Sequence, residues 1–216
     1  MNKKYSLILF DMDGTLVDTD EMIRQSMYIL YDKYRDGKRS PDEEIWYFSG
    51  PPIRETLAKE FPHMDLDFMY EEFHKVSWEL YKPYAKAYPD AYEVIHKLKK
   101  AGYKLGVVTN KIHDTTMYCL DLINMRDIFD VVIGYNDVSV GKPSPEGILK
   151  AMELTNIKNK DEVLYIGDNK VDLDTANNAG VNSALVYWGP RVLSKELKPT
   201  LKISSYEDLW RKLGDE

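Results

Sequence analysis

The feature that most constrains this chain is a set of short apolar runs, each stopping at a residue suited to a turn or a site. Leu7–Phe10 stops at Asp11, Leu105–Val108 at Thr109, Val131–Ile133 at Gly134, Val163–Ile166 at Gly167 and Ala184–Val186 at Tyr187. Runs this short, without polar alternation, suit strands buried on both faces, as in a parallel sheet. Helix-like segments lie between them: Tyr92–Ala101, Asp114–Leu122, Pro145–Leu154 and Val171–Ala179. Alternating strand and helix predicts an α/β architecture with helices on both faces of the sheet. Ligands in such sheets bind beyond the carboxyl ends of the strands, so the polar residues ending the runs are the candidate site.

The stretch from Asp18 to Lys86 breaks this rhythm. It has no strand-like run and is rich in Glu, Leu, Met and Tyr, which reads as a helical insertion. The predicted division is a core of residues 1–17 and 87–216 with an inserted helical unit of residues 18–86. The insertion carries ten Lys and Arg against fifteen Asp and Glu, and the whole chain has a formal charge of −7. That balance gives no field to attract nucleic acid or an anionic membrane, and points to small substrates. The apolar run behind Met1–Ser6 is too short for a secretory segment or a membrane span. The single cysteine, Cys119, cannot form an internal disulfide, so a reducing, cytoplasmic setting is expected. Cys119 reads as a small buried thiol. The four histidines, His63, His74, His96 and His113, lack the spacing of a zinc site.

The first run delivers Asp-Met-Asp-Gly-Thr-Leu-Val-Asp-Thr over residues 11–19. On an extended backbone Asp11 and Asp13 point the same way, so two carboxylates share one place. Close carboxylates push their pKa values apart, which lets one serve as nucleophile or metal ligand and the other as general acid. Gly14 allows the bend that follows. Later strands end in Thr109-Asn110 and Gly167-Asp168, with Asp172 four residues on at the expected start of a helix. Between them, Gly141-Lys142-Pro143-Ser144-Pro145 biases Lys142 to extended backbone and offers a helix cap.

These four motifs, in this order, resemble those of the haloacid-dehalogenase-like superfamily. The closing segments Tyr187-Trp188-Gly189 and Leu201–Leu213 are similar to those of its phosphoglycolate-phosphatase-like members. The resemblance implies a Rossmann-like doubly wound parallel sheet core with an inserted α-helical cap domain. It further implies a phosphatase of a small phosphorylated metabolite that forms an aspartyl-phosphate on Asp11. Asp13 would be the general acid and base, Thr109 and Asn110 would bind the transferring phosphate, and Lys142 would neutralise it. Mg²⁺ would be held by the carboxylates of Asp11 and Asp168 and the carbonyl of Asp13, with Asp172 in support. Arg54, in a segment resembling the family's specificity loop, would touch the far end of the substrate.

Two other activities share the scaffold, a sugar phosphomutase and an inorganic pyrophosphatase. Thr15 after Gly14 resembles the phosphatases, where the sugar mutases tend to have valine. Asp13 argues against a dehalogenase, since those relatives lack the second aspartate and the metal.

Overall fold

A computed structural model gives the fold and describes residues 3–213. Six strands form one parallel sheet: β1 (Leu7–Phe10), β4 (Lys104–Val108), β5 (Val131–Ile133), β6 (Val163–Gly167), β7 (Asn182–Val186) and β8 (Leu201–Ile203), in the order β5-β4-β1-β6-β7-β8. The chain builds outward from β1 through β4 to β5. It then returns to the other side of β1 and continues through β6 and β7 to β8. The first strand therefore stands in the middle, at the point where the winding reverses.

Alternation along β1 explains why helices cover both faces. Leu7 and Leu9 point into a cluster with Ile148, Ala151 and Met152 of α7 (Glu146–Leu154) and Ala176 and Ala179 of α8 (Lys170–Ala179). Ile8 and Phe10 point the other way. They join Val94, Ile95 and Leu98 of α5 (Ala91–Lys100), Cys119 and Leu120 of α6 (His113–Leu122), and Leu209 and Leu213 of α9 (Tyr206–Leu213). Burial pushes the Cys119 thiol up to about 12, so it is an unreactive packing group.

Four helices lie between Asp18 and Lys86: α1 (Asp20–Tyr34), α2 (Asp42–Ile45), α3 (Ile53–Glu60) and α4 (Leu66–Tyr84). Met22, Met27, Leu30 and Tyr31 of α1 are buried with Leu57, Met69 and Phe73 of α3 and α4. Asp65 caps α4 by accepting from the Phe68 amide at 2.9 Å.

The expected helices and the five expected strands lie within two residues of the observed ones at each end. Three strands differ from expectation. β2 (Val17–Asp18) and β3 (Lys86–Ala87) form a two-residue antiparallel ribbon where the chain leaves and re-enters the core. The edge strand β8 adds three residues to the sheet. Such pairings are too short to leave a period in the sequence.

Gly106 sits in β4 between β1 and β5 with no room for a side chain. An added Cβ would lie 2.6 Å from Val131 Cγ1 and 2.7 Å from Leu9 Cδ2. Gly106→Ala should therefore cost about 1–3 kcal/mol by overpacking. Urea unfolding of the variant checks this, and an unchanged midpoint would mean that the two side chains yield freely.

Candidate active site

Three neighbouring strands aim their ends into one crevice. Phe10 pairs with Val107 of β4 and Ile166 of β6, so Asp11, Thr109 and Asp168 follow at nearly the same level. The Asp11 amide continues the ladder, donating to Ile166 O at 2.8 Å, and the Thr109 amide donates to Ile133 O at 3.0 Å. Gly14 turns the chain with φ +80°, and a Cβ there would lie 2.3 Å from Asp168 Oδ2. The far end of the sequence fastens this turn. Trp188 Nε1 donates to Gly14 O at 3.2 Å, and the Tyr206 hydroxyl donates to Thr15 O at 2.8 Å.

Lys142 lies at the centre of the charge arrangement. Its ammonium stands 2.8 Å from Asp11 Oδ1 and 2.6 Å from Asp172 Oδ1, with all three side chains almost fully buried. Burial disfavours that charge, but the two carboxylates outweigh it and hold the ammonium above the usual lysine range. Asp172 is fully engaged. Tyr165 donates to its Oδ1 at 3.2 Å, while its Oδ2 accepts the amides of Asp168 and Asn169 at 3.1 and 3.0 Å, closing a capping box on α8. Only glycine at 167 permits this, because a Cβ there would meet Asp172 Cγ at 2.2 Å.

Asn110 is directed at protein groups. Its Oδ1 accepts the Lys142 amide at 2.8 Å, and its Nδ2 donates to Gly50 O at 3.0 Å and to Lys142 O at 3.3 Å. It thereby fixes the loop carrying Lys142 and ties it to the helical insertion. Asp13 accepts from the Thr19 hydroxyl at 2.7 Å and pairs through Oδ2 with Lys111 at 2.9 Å. Arg54 lines the same cavity as Asp11, Asp13 and Thr109, with its guanidinium bound to Asp67 at 2.6 Å and over the Tyr70 ring.

Two buried cations escaped the sequence reading. Lys111 follows the Thr109-Asn110 pair directly, and that proximity to a strand end was the available signal. Arg191 is in the loop between β7 and β8. It pairs with Asp168, donates to Asp20 Oδ1 at 2.8 Å and donates to Trp46 O at 2.6 Å. No local pattern marks it.

Asp11, Asp168 and Asp172 present carboxylate oxygens within 4.8 Å of one another. Asp172 is spent on protein donors, whereas Asp168 Oδ1 is buried and accepts no hydrogen bond. An unsatisfied carboxylate oxygen beside a second carboxylate is a donor set that fits a hard cation. Burial pushes Asp11 up to about 6 against the pull of Lys142, and pushes Asp168 well up against the pull of Arg191.

A sequence model of haloacid dehalogenase-like hydrolases matches residues 8–186, which takes in the strand ends at Asp11, Thr109 and Asp168. The chain belongs to this family. Among curated proteins, pyrophosphatase PpaX of Listeria monocytogenes is 33% identical over 219 residues, with both chains covered in full. Pyrophosphatase PpaX of Bacillus cereus is 33% identical over 215 residues, covering 98% of each. A haloacid dehalogenase-like protein from Bacteroides fragilis superposes with a TM-score of 0.87 at 29% identity, covering 95% of this chain and 100% of that one. A hydrolase of the same superfamily from Geobacter sulfurreducens gives 0.72 at 25% identity, covering 99% and 98%. The chain is accordingly a phosphohydrolase of the haloacid-dehalogenase-like superfamily. No helix among the described residues is long and apolar enough to cross a membrane.

The raised Asp11 has a measurable cost in this hydrolase. Between about pH 4 and pH 6 the folded chain holds a proton on Asp11 that the unfolded chain has lost, so stability falls as pH rises through that window. Asp11→Asn removes this part of the dependence. In chelator, the variant should gain on the parent by up to about 3 kcal/mol from pH 4 to pH 7, at about 1.36 kcal/mol per unit. Denaturant titrations at the two pH values check the sign. Parallel losses in both proteins would mean that Asp11 ionises in its usual range.

Proposed function

We propose that the chain is a Mg²⁺-dependent phosphatase acting on a small phosphorylated metabolite through an aspartyl-phosphate on Asp11. The observation carrying this reading is the buried Lys142 ammonium 2.8 Å from Asp11, with Thr109 and Asp168 on the flanking strands. Phosphoryl transfer calls for an in-line nucleophile and dense positive charge around the equatorial oxygens, with little else required of the protein.

In the proposed mechanism the Asp11 carboxylate attacks phosphorus and the ester P–O bond breaks. The departing oxygen takes its electron pair and receives a proton from Asp13. Asp13 then removes a proton from water, which attacks the phosphoryl group, releasing phosphate and restoring Asp11. Thr109 binds the transferring phosphate through its hydroxyl, and Lys142 balances the charge shared between phosphate and nucleophile. Asn110 is proposed to bind the phosphate, and its side chain also holds the Lys142 loop in place. The carboxylates of Asp11 and Asp168 and the carbonyl of Asp13 would hold Mg²⁺, with Asp172 steadying the Asp168 backbone. When bound, the ion supplies further positive charge beside the phosphoryl oxygens.

Residues 18–86 are proposed as a cap over a core of residues 1–17 and 87–216, with Arg54 at the outer end of the substrate. The substrate read from the sequence resemblance is phosphoglycolate-like. Inorganic pyrophosphate is the second reading, favoured by the relatives that carry the pyrophosphatase name.

Chelation should abolish phosphate release and Mg²⁺ restore it, with Ca²⁺ supporting it poorly because its looser coordination misplaces the nucleophile. Full turnover after exhaustive chelation would remove the metal from the reading. Asp13→Asn should spare a nitrophenyl phosphate far more than an alkyl phosphate, since a good leaving group needs little protonation. Rapid-quench measurement on both esters decides it, and equal losses would take the acid role away from Asp13.

A further inference from the structure

The cavity holds a second buried cation that the mechanism above does not use. The Lys111 side chain is 8% exposed, and it lines the same cavity as Asp11, Asp13 and Thr109. Its ammonium lies 2.9 Å from Asp13 Oδ2 and donates to the Tyr81 hydroxyl at 2.8 Å. An ammonium has three N–H donors, so one remains for a ligand.

Three other features of the cavity favour an anion there. Ser49 lines the cavity at 3% exposure, and its buried hydroxyl has no hydrogen-bond partner; His74, which also lines it, has a buried, unpartnered Nε2. His74, Lys111 and Arg54 line the same cavity, and burial first, then the charges of Lys111 and Arg54, holds His74 below its usual range. Among the described residues, the only carboxylates lining the cavity are Asp11 and Asp13, both at its phosphoryl end. Beyond them the polar groups are cations or neutral donors, set among Phe48, Phe73 and Tyr81.

We propose that Lys111, aided by Ser49 and His74, binds a second negative charge carried by the leaving group close to the scissile oxygen. Lys111 is then the specificity-determining residue for compact substrates with a second anionic group, a phosphoanhydride or a phosphorylated small carboxylic acid, over esters with an uncharged tail. Arg54 is the weaker candidate for this contact, being 42% exposed and already paired with Asp67. A charge-assisted bond to a buried ammonium is about twice as strong as a neutral one and loses little to solvent. It also offsets the chain's net charge of −7 where a second anionic group must be held.

The inference rests on the phosphatase reading, and the experiment separates the two. kcat/KM is measured with Mg²⁺ on pyrophosphate, phosphoglycolate and ethyl phosphate for the parent, Lys111→Met and Lys111→Arg. Calorimetry compares methylenediphosphonate, which carries the second charge, with methylphosphonate, which does not. Lys111→Met should lose at least about tenfold more on a charged-tail substrate than on ethyl phosphate, and Lys111→Arg should recover part of it. Methylenediphosphonate affinity should fall by a similar factor while methylphosphonate affinity changes much less. A larger loss on pyrophosphate identifies the second anion as phosphate, and a larger loss on phosphoglycolate identifies it as carboxylate. Equal losses on all three substrates, with both phosphonates weakened alike, would overturn the proposal and leave Lys111 as a prop for Asp13. If the parent hydrolyses none of the substrates, the phosphatase reading fails, and the phosphonate comparison still decides the anion site.

Discussion

The arrangement depends on one buried ammonium between two buried carboxylates. Lys142 joins Asp11, at the end of the central strand, to Asp172, in the first turn of α8. Removing one partner from such a group leaves an uncompensated charge in the interior, at a cost of about 3–5 kcal/mol. The geometry around it follows from that requirement. The Lys142 loop must be clamped by Asn110, α8 must begin with its carboxylate turned inward, and residue 167 must be glycine to let that carboxylate pass. The same ion pairs leave Asp11 buried yet beside a positive charge, which is the state a carboxylate nucleophile needs.

The sequence was most legible where function coincides with a strand end. A buried run that stops on Asp or Thr records both the strand and the place where its next side chain emerges, so Asp11, Thr109 and Asp168 could be set together before any coordinates. Asp172 and Lys142 were legible because helix starts have their own chemistry. Arg191 was not, because its partners Asp168, Asp20 and Trp46 become neighbours only after the sheet is wound. Asn110 was read toward phosphate and is turned toward the Lys142 loop and Gly50. Lys111 resembled any surface lysine until α4 brought Tyr81 over it.

Three backbone carbonyls of the helical insertion accept hydrogen bonds from core side chains. Gly50 O accepts from Asn110, Ser49 O from Asn169 and Trp46 O from Arg191. A further bond runs from the Tyr47 hydroxyl to Val192 O. At Trp46, Ser49 and Gly50 the main chain provides the acceptor, while Tyr47 uses its side chain and Gly50, with φ +109° and a would-be Cβ 2.8 Å from Asn169 Nδ2, must stay glycine. Each core donor is itself next to, or one of, the charged groups of the site. Asn110 holds Lys142, Asn169 follows Asp168, and Arg191 pairs with it.

The sheet order also bears on how the chain comes to be folded during synthesis. β1 is the first strand made, yet its ladders require residues 104–108 on one side and 163–167 on the other. Pairings so distant in sequence form late, whereas the contacts among α1, α3 and α4 are within reach much earlier. An emerging chain therefore carries an apolar strand with both edges open until β4 has left the ribosome, and with one edge open until β6 follows, a condition that invites association with other chains. Asp11 is translated early and acquires its Asp168 neighbour only when most of the chain exists, so an incomplete chain lacks the carboxylate pair.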